Sequence, residues 1–272
     1  MESNDFLTVA ERELGERFQN DGYVVGPVED LDSAARIRGR VADLAADHLG
    51  LPAPQTGEAG DFLDGIHAHV DAARLNDLRL AVIDGINTEP WLRPAYFSIA
   101  RHALSTIVGN ELAMQRRLNL SIQLPDDDSS LLPVHTDAWA GNSPFEVVLW
   151  LPLVDCRATK SMFLLPPGPD AAMQPRLGEF ADKGAEDLFR AIEADVVWPE
   201  VPFGRFLLFV QTLMHGNRIN CEPTTRWSLN GRFKSVFSPY ADKPLGEFFE
   251  PVSLRAASRI GMRYRLPGGF DE

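Results

Sequence analysis

Two histidines and one aspartate are spaced so that a single metal ion could bind all three. His135 and Asp137 are two residues apart, and side chains at positions i and i+2 of an extended segment project to the same side. His215 lies much further along the chain and would reach the same ion from another strand. Two neutral imidazoles and one carboxylate on one face of an octahedral ion leave three positions open. The spacing therefore predicts a metal site that small molecules can enter.

A candidate carboxylate-binding pair follows the second histidine. Arg226 and Ser228 are two residues apart at the start of a run, 226–237, whose composition is typical of a strand, so they project to one face. A guanidinium group with a hydroxyl beside it is suited to hold a carboxylate through parallel hydrogen bonds. Either motif alone is weak, because His-x-Asp pairs and arginines more often lie at the surface. Their order along the chain indicates one site that binds both a metal ion and a carboxylate.

The residues before these motifs are predicted to be mostly helical. Thr8 and Glu11 form a capping-box pattern ahead of apolar residues at helical spacing. A second helix is expected to begin at Asp32 or Ser33, and residues 51–60 are predicted to be a loop because they are rich in Pro and Gly. The predicted helices cover residues 9–18, 34–48, 70–86 and 90–108, with a short strand at 23–26.

From about residue 112 the periodicity changes to that of strands. Residues 118–124 alternate between apolar and polar side chains, as in a half-buried strand. Further strands are predicted at 147–153, 161–165, 206–210 and 227–237. Helices followed by short strands favour a mainly β fold, a double-stranded β-helix or jelly roll with helices packed on one side. We expect one domain over residues 1–272, divided into a helical part (1–111), a β-helix core (112–240) and a C-terminal extension (241–272).

Composition and charge exclude several classes of protein. The formal net charge of −13 argues against nucleic-acid binding, because phosphate contacts need a basic face. No run approaches about 18 consecutive apolar residues, and the acidic N-terminus does not resemble a signal peptide, so we expect a cytoplasmic protein that binds no membrane. Cys156 and Cys221 have no metal-ligand spacing. The basic residues Arg218, Arg232 and Lys234 are predicted to lie on a solvated surface.

The chain resembles the Fe(II)/2-oxoglutarate-dependent dioxygenases, and more closely the branch similar to phytanoyl-CoA hydroxylase. The matching stretches lie within residues 112–238 and include all the motif residues above. They are Leu132-Pro-Val-His-Thr-Asp, Val148-Leu-Trp-Leu-Pro-Leu-Val-Asp, Gly204-Arg-Phe-Leu-Leu-Phe, Leu213-Met-His-Gly-Asn and Arg226-Trp-Ser. One departure is the turn Leu165-Pro-Pro-Gly-Pro-Asp, where this branch usually has a histidine, so no role of that histidine carries over.

The resemblance implies a fold, a metal and a cosubstrate. The fold would be a double-stranded β-helix with a helical N-terminal part, and the metal would be Fe(II). The implied iron ligands are His135, Asp137 and His215. The implied contacts to 2-oxoglutarate are Arg226 and Ser228, which would hold the distal carboxylate, and Gln123, with Asn119 on the same strand as a second choice.

The resemblance also implies a reaction. 2-Oxoglutarate and O₂ would be consumed while a C–H bond of a small-molecule substrate is hydroxylated, or is oxidised by desaturation, cyclisation or epimerisation. The presence of Asp137 disfavours a halogenase, which needs a vacant position for halide. Residues 217–235 are similar to oxygenases that accompany carbohydrate and aminoglycoside biosynthesis genes, which favours a sugar or another polar molecule as the substrate.

Two other classes of protein remain open on the sequence. A cupin-like metal enzyme that does not use 2-oxoglutarate would share the three ligands but would need no partner for Arg226 and Ser228. A non-catalytic sensor or binding protein would need no ion with open positions. Thermal stabilisation of the iron-loaded protein by 2-oxoglutarate, together with succinate formation, would distinguish the oxygenase from both.

Overall fold

Helices make up most of the chain before residue 108. The computed structural model of the protein describes residues 6–55 and 57–265. The helices in this part are α1 (Val9–Asp21), α2 (Leu31–Leu49), α3 (Ala59–Asp64), α4 (Ala72–Asn87), α5 (Leu92–Ser98) and α6 (Arg101–Ile107). Three short helices follow later in the chain, α7 (Pro167–Met173), α8 (Ala185–Ile192) and α9 (Ala256–Gly261). None of the helices in the described ranges is long and apolar enough to span a membrane.

The capping signals locate the first helix well and the second less well. The Thr8 hydroxyl accepts a hydrogen bond from the Glu11 backbone N–H, and the Glu11 carboxylate accepts one from the Thr8 backbone N–H, so the predicted capping box forms. Helix α2 begins earlier than predicted because Asp30, rather than Asp32 or Ser33, caps it by accepting from the Ser33 N–H.

The helix predicted over residues 90–108 is wrong in one respect, because it is broken into α5 and α6. At the break, the Ile99 carbonyl accepts a hydrogen bond from the Glu29 N–H, and the Glu29 carboxylate accepts from the N–H groups of His102 and Ala103. A carboxylate at a helix N-terminus satisfies free N–H groups and the helix dipole. The break therefore depends on a residue about 70 positions away in sequence. The loop predicted over 51–60 is also too long by two residues, since α3 begins at Ala59.

One large antiparallel sheet contains most of the strands. Its members are β1 (Tyr23–Pro27), β2 (Leu112–Gln115), β3 (Asn119–Gln123), β4 (Val147–Pro152), β6 (Arg205–Val210), β8 (Arg226–Ser235) and β9 (Phe249–Pro251). The strand order is β1-β6-β4-β8-β2-β9. The long strand β8 pairs with β4 on one side and with β2 and β3 in succession on the other. The strands predicted at 23–26, 118–124, 147–153 and 206–210 are thus present in this sheet, and the one predicted at 227–237 ends two residues earlier, at Ser235. The C-terminal strand β9 joins the same sheet through β2.

A second, smaller sheet is separate from the large one. Its two strands, β5 (Phe163–Leu164) and β7 (His215–Gly216), are antiparallel. Single bridges extend it on both sides, from His135 to His215 and from Leu164 to Val197. Two sheets of this kind, with helices packed against the larger one, confirm the predicted mainly β fold with a helical N-terminal part. One hydrophobic cluster contains buried residues of α2, α4, β4, β6 and β8, so the helices and the large sheet share a core.

Candidate metal centre

His135 and His215 are brought together by the backbone of the small sheet. The N–H of each residue donates to the carbonyl oxygen of the other, at 3.0 and 2.9 Å. Residues paired directly across antiparallel strands have neighbouring side chains on one face. The two imidazole rings accordingly lie with their centroids 4.3 Å apart. Asp137 begins a short 3-10 turn, and its N–H donates to the carbonyl of Gln211. In this position the Asp137 carboxylate lies close to both rings.

The two histidines are held in the tautomer that suits metal binding. Nδ1 of His135 is 2.8 Å from the Pro133 carbonyl oxygen, and Nδ1 of His215 is 2.8 Å from the Leu213 carbonyl oxygen. A carbonyl oxygen only accepts hydrogen bonds, so each Nδ1 carries the proton and each Nε2 presents its lone pair. Such bonds to the second ring nitrogen orient metal-binding histidines. Each ring thus has a free nitrogen and a fixed direction.

The three side chains form one potential ligand set. One ligand atom from each of His135, Asp137 and His215 lies within 4.8 Å of the others. Within the described ranges this is the one group of three His, Cys, Asp or Glu side chains close enough to share an ion. Nε2 of His135 lies 3.9 Å from Oδ1 of Asp137. Two imidazoles and one carboxylate arranged in this way suit a non-haem iron with open coordination positions.

Gly216, next to the second histidine, has no room for a side chain. A Cβ atom there would lie 2.6 Å from the Leu132 carbonyl oxygen and 3.0 Å from that of Pro133. These are backbone atoms, so the segment that leads to His135 would have to move. We expect Gly216→Ala to destabilise the protein by about 1–3 kcal/mol, the usual cost of overpacking, and to weaken metal binding. Urea unfolding and metal titration check both effects.

A matched glycine substitution separates the local clash from a general effect of alanine. Gly15, inside α1, has nothing within 4 Å of its Cβ position, so Gly15→Ala removes a helical glycine without a clash. Alanine is favoured over glycine in a helix by about 1 kcal/mol, so this variant should be more stable and bind metal normally. Wild-type metal affinity in Gly216→Ala would contradict the role of the close strand contact.

Because His215 is buried, the stability of the metal-free protein depends on pH. The pKa of His215 is lowered to about 4, first because burial disfavours the charged ring and then because His135 lies beside it. The folded state therefore binds this proton less readily than the unfolded chain, whose histidine pKa is near 6.5. Stability from this residue is complete above about pH 6.5 and is lost as the pH falls towards 4, by up to about 3 kcal/mol.

Chemical unfolding of the chelator-treated protein at several pH values between 4 and 7 measures this loss. His215→Gln should flatten the dependence of the unfolding free energy on pH, because glutamine does not titrate. His102→Gln removes an exposed histidine and should leave the dependence unchanged. Equal slopes in wild type and His215→Gln would show that the ring is not held neutral by burial.

Arg226 is a buried guanidinium without a carboxylate partner among the described residues. It is 3% exposed. Its Nη1 donates to the Ser161 carbonyl at 3.1 Å and its Nη2 to the Ser121 hydroxyl at 2.9 Å, while Nε has no hydrogen-bond partner. Burial lowers its pKa to about 10, so the group is still a cation at neutral pH. A buried cation with a free donor is suited to receive an anion.

The other residues predicted to bind a carboxylate lie near Arg226 in different ways. Ser228 is fully buried on the same face of β8, and its hydroxyl has no partner. The Gln123 side chain is also buried, and its amide nitrogen donates to the Arg218 carbonyl at 2.5 Å while its oxygen has no partner. Ser121, which the sequence analysis did not single out, contacts Arg226 directly. The alternation of polar residues 119, 121 and 123 along β3 was the available signal for it.

The surface prediction for two of the three basic residues is wrong. The Arg232 side chain is 13% exposed, and its Nη2 lies 2.7 Å from Oδ2 of Asp137. Lys234 is fully buried and donates to the Pro239 carbonyl at 2.5 Å, with its ammonium over the Tyr240 ring. Both faces of β8 are buried, and strand alternation puts these two side chains on the face that carries Arg226 and Ser228. Arg218 pairs with Glu186 and is partly exposed.

One cavity of about 620 Å³ connects the candidate ligands with Arg226. Its charged lining consists of three cations, Arg79, Arg226 and Arg232, and one anion, Asp137. The excess of positive charge contrasts with the net charge of −13 on the whole chain. Amide and hydroxyl groups also line the cavity, from residues Asn76, Asn119, Ser121, Ser129, Ser130, Asn217 and Asn230. Apolar side chains, among them Leu75, Ile83 and Trp150, line the rest of the cavity, which is therefore suited to small molecules that carry polar or anionic groups on an apolar skeleton.

Comparisons with known proteins identify the fold. No protein-family model matches the sequence, and no curated protein matches it significantly. A non-haem monooxygenase, ThoJ in complex with nickel, is 16% identical, with a TM-score of 0.56 over 89% of this chain and 84% of that chain. HygX from Streptomyces hygroscopicus, with nickel and 2-oxoglutarate bound, is 16% identical, with a TM-score of 0.53 over 86% and 89% of the two chains. The protein has the fold of these non-haem enzymes.

A third structure extends the comparison to another reaction. SnoK, a non-haem α-ketoglutarate-dependent carbocyclase from nogalamycin biosynthesis, is 15% identical, with a TM-score of 0.52 over 91% of this chain and 97% of that chain. Structures with this fold thus include a monooxygenase and a carbocyclase, and at these identities the similarity shows the fold alone. What this chain does within the non-haem oxygenase fold has to be argued from its own residues.

Proposed function

We propose that the protein is an Fe(II)- and 2-oxoglutarate-dependent oxygenase that oxidises a C–H bond of a polar small molecule. The observation that carries this proposal is a single cavity lined by His135, Asp137, His215 and Arg226. The first three are a ligand set suited to iron with open positions, and the fourth is a buried cation without a carboxylate partner in the described part of the chain. A metal-bound oxoacid with a distal carboxylate would use both features at once.

The residues present fit the iron. His135 and His215 each offer Nε2, because their Nδ1 protons are held by backbone carbonyls. Asp137 offers Oδ1, while its other oxygen is held by Arg232. When bound, the iron and 2-oxoglutarate would supply the activation of O₂ that leads to C–H oxidation, with succinate and CO₂ as coproducts. The protein groups orient the three ligands and leave the remaining positions to small molecules.

The residues present also fit 2-oxoglutarate. We assign the distal carboxylate to Arg226, whose Nε lacks a partner, and to the unpaired hydroxyl of Ser228. Ser121 already contacts Arg226 and would keep the guanidinium in place. Gln123 stays a prediction as a further contact, because its amide oxygen is unpaired but its nitrogen is engaged by the Arg218 carbonyl.

The substrate we propose is a sugar or a sugar-containing natural product. The amide and hydroxyl groups that line the cavity can exchange hydrogen bonds with a polyhydroxylated molecule, while apolar side chains such as Leu75, Ile83 and Trp150 would contact its carbon skeleton. SnoK, which shares the fold, acts in nogalamycin biosynthesis. SnoK is a carbocyclase, and the proposal for this chain covers hydroxylation as well as other oxidations of a C–H bond. The cytoplasmic location expected from the sequence belongs to the same proposal.

An anaerobic titration tests the proposed function. Fe(II) is added to the metal-free protein, then 2-oxoglutarate, and the visible charge-transfer absorption of an iron-chelated oxoacid is recorded. We expect absorption in the wild type and none in His135→Ala. Iron binding without this absorption would favour a cupin-like enzyme that does not use 2-oxoglutarate, and absence of iron binding would contradict the proposal. A substrate screen centred on sugars would follow, with succinate release as the readout.

A further inference from the structure

Arg232 contacts one oxygen of Asp137 with two of its nitrogen atoms. Nη2 lies 2.7 Å and Nε 3.1 Å from Oδ2. Both side chains are largely buried, at 13% and 10% exposure. Charge-assisted hydrogen bonds in such surroundings are short and strongly orienting. The direction of the Asp137 carboxylate therefore depends on Arg232.

The arginine is itself anchored from the neighbouring strand. The Gln115 side-chain oxygen accepts from Nη1 of Arg232 at 3.2 Å and from the backbone N–H of the same residue at 3.2 Å. The Gln115 amide nitrogen donates to the Arg117 carbonyl at 2.6 Å, which fixes the orientation of the amide. Gln115 is buried. The guanidinium thus has donors engaged on two sides and is not free to turn towards another anion in the cavity.

The two oxygens of Asp137 consequently have different surroundings. Oδ2 is occupied by Arg232, whereas Oδ1 faces the histidines and lies 3.9 Å from Nε2 of His135. A carboxylate whose two oxygens are both free can bind a metal ion through one or through both. With both bound, an octahedral ion would keep two open positions instead of three. An oxoacid that binds through two atoms and O₂ together need three.

We propose that Arg232 is a positioning residue that restricts Asp137 to one metal-binding oxygen and so keeps a third coordination position open. This inference rests on the proposed metal site. It assigns a separate task to each of two arginines in the cavity. Arg226 receives the distal carboxylate of the cosubstrate, and Arg232 sets the number of positions available on the metal.

Mn(II) bound to the protein without 2-oxoglutarate provides the test, because relaxation of water protons counts the water molecules on the ion. We expect three in the wild type. In Arg232→Met, which removes every donor, we expect two, together with a lower affinity for 2-oxoglutarate and a loss of activity of about 10- to 100-fold, the range typical of groups that orient metal ligands. Arg232→Lys keeps the charge and one donor and should restore three.

A control and the contrary outcomes complete the test. Arg93 makes a comparable ion pair with Glu250, at 2.5 Å, but does not line the cavity, so Arg93→Met should retain three waters and the wild-type affinity. Two waters in the wild type, or three in a folded Arg232→Met, would overturn the proposal. A lower 2-oxoglutarate affinity in Arg232→Met with three waters would assign Arg232 to the cosubstrate instead. The water count needs no cosubstrate, so failure of the charge-transfer test alone would contradict only the proposed function.

Discussion

Replacement of His215 by alanine is expected to remove metal binding at stoichiometric iron and to abolish iron-dependent turnover. Nε2 of His215 is one of three protein donors in the ligand set, and two donors hold a divalent ion more weakly than three in competition with water and buffer. Loss of a group that merely orients a ligand costs about 10- to 100-fold in affinity, so loss of a ligand should cost at least about 100-fold. His135→Ala and Asp137→Ala should behave in the same way.

Calorimetric titration with Fe(II) under anaerobic conditions measures the affinity, and succinate formation measures turnover. His102→Ala is the matched control, because this histidine is exposed and does not belong to the ligand set. It should bind iron like the wild type. Full activity of His215→Ala would end the assignment of the three ligands, whatever the fold.

Two of the three candidate ligands could be found from sequence because their arrangement depends on local geometry. The alternation of side chains on an extended segment places His135 and Asp137 on one side without knowledge of the rest of the fold. The position of His215, in contrast, depends on pairing between segments 80 residues apart. Only its order relative to Arg226 and its resemblance to a known motif identified it. The same holds for Arg226, whose burial could not be read from its neighbours in sequence.

Arg232 shows why the rest of the site was missed. The sequence alone gives an arginine six residues after Arg226, and charged residues on strands usually face solvent. The alternation along β8 puts both on one face, but only the tertiary fold brings Arg232 to Asp137, 95 residues away. An ion pair between distant segments leaves no periodic signal in either of them. The break between α5 and α6 was missed for the same reason, because it depends on hydrogen bonds to Glu29 in a distant segment.

Replacement of Arg226 is the second change with a large expected effect. Arg226→Ala should raise the dissociation constant for 2-oxoglutarate by about 100-fold, since a hydrogen bond to a charged group contributes about 1.5–3 kcal/mol. The affinity for Fe(II) should be unchanged, because Arg226 contacts Ser121 and Ser161 and none of the ligands. Arg226→Lys keeps the charge but offers a single point of contact, so its affinity should be intermediate.

A cosubstrate analogue makes this prediction specific. 2-Oxopentanoate has the oxoacid group that chelates the metal but lacks the distal carboxylate. If Arg226 holds that carboxylate, wild type and Arg226→Ala should bind the analogue with equal affinity, and only 2-oxoglutarate should distinguish them. Equal losses for both compounds would mean that the substitution disturbs the cavity in general.

Unchanged affinity for 2-oxoglutarate in Arg226→Ala would direct the assignment to Arg79, the remaining cation of the lining. Arg79 contacts Asn76 and no carboxylate in the described ranges. Arg232 and Lys234 are less suited to replace Arg226, because their donors already bind Asp137, Gln115 and the Pro239 carbonyl.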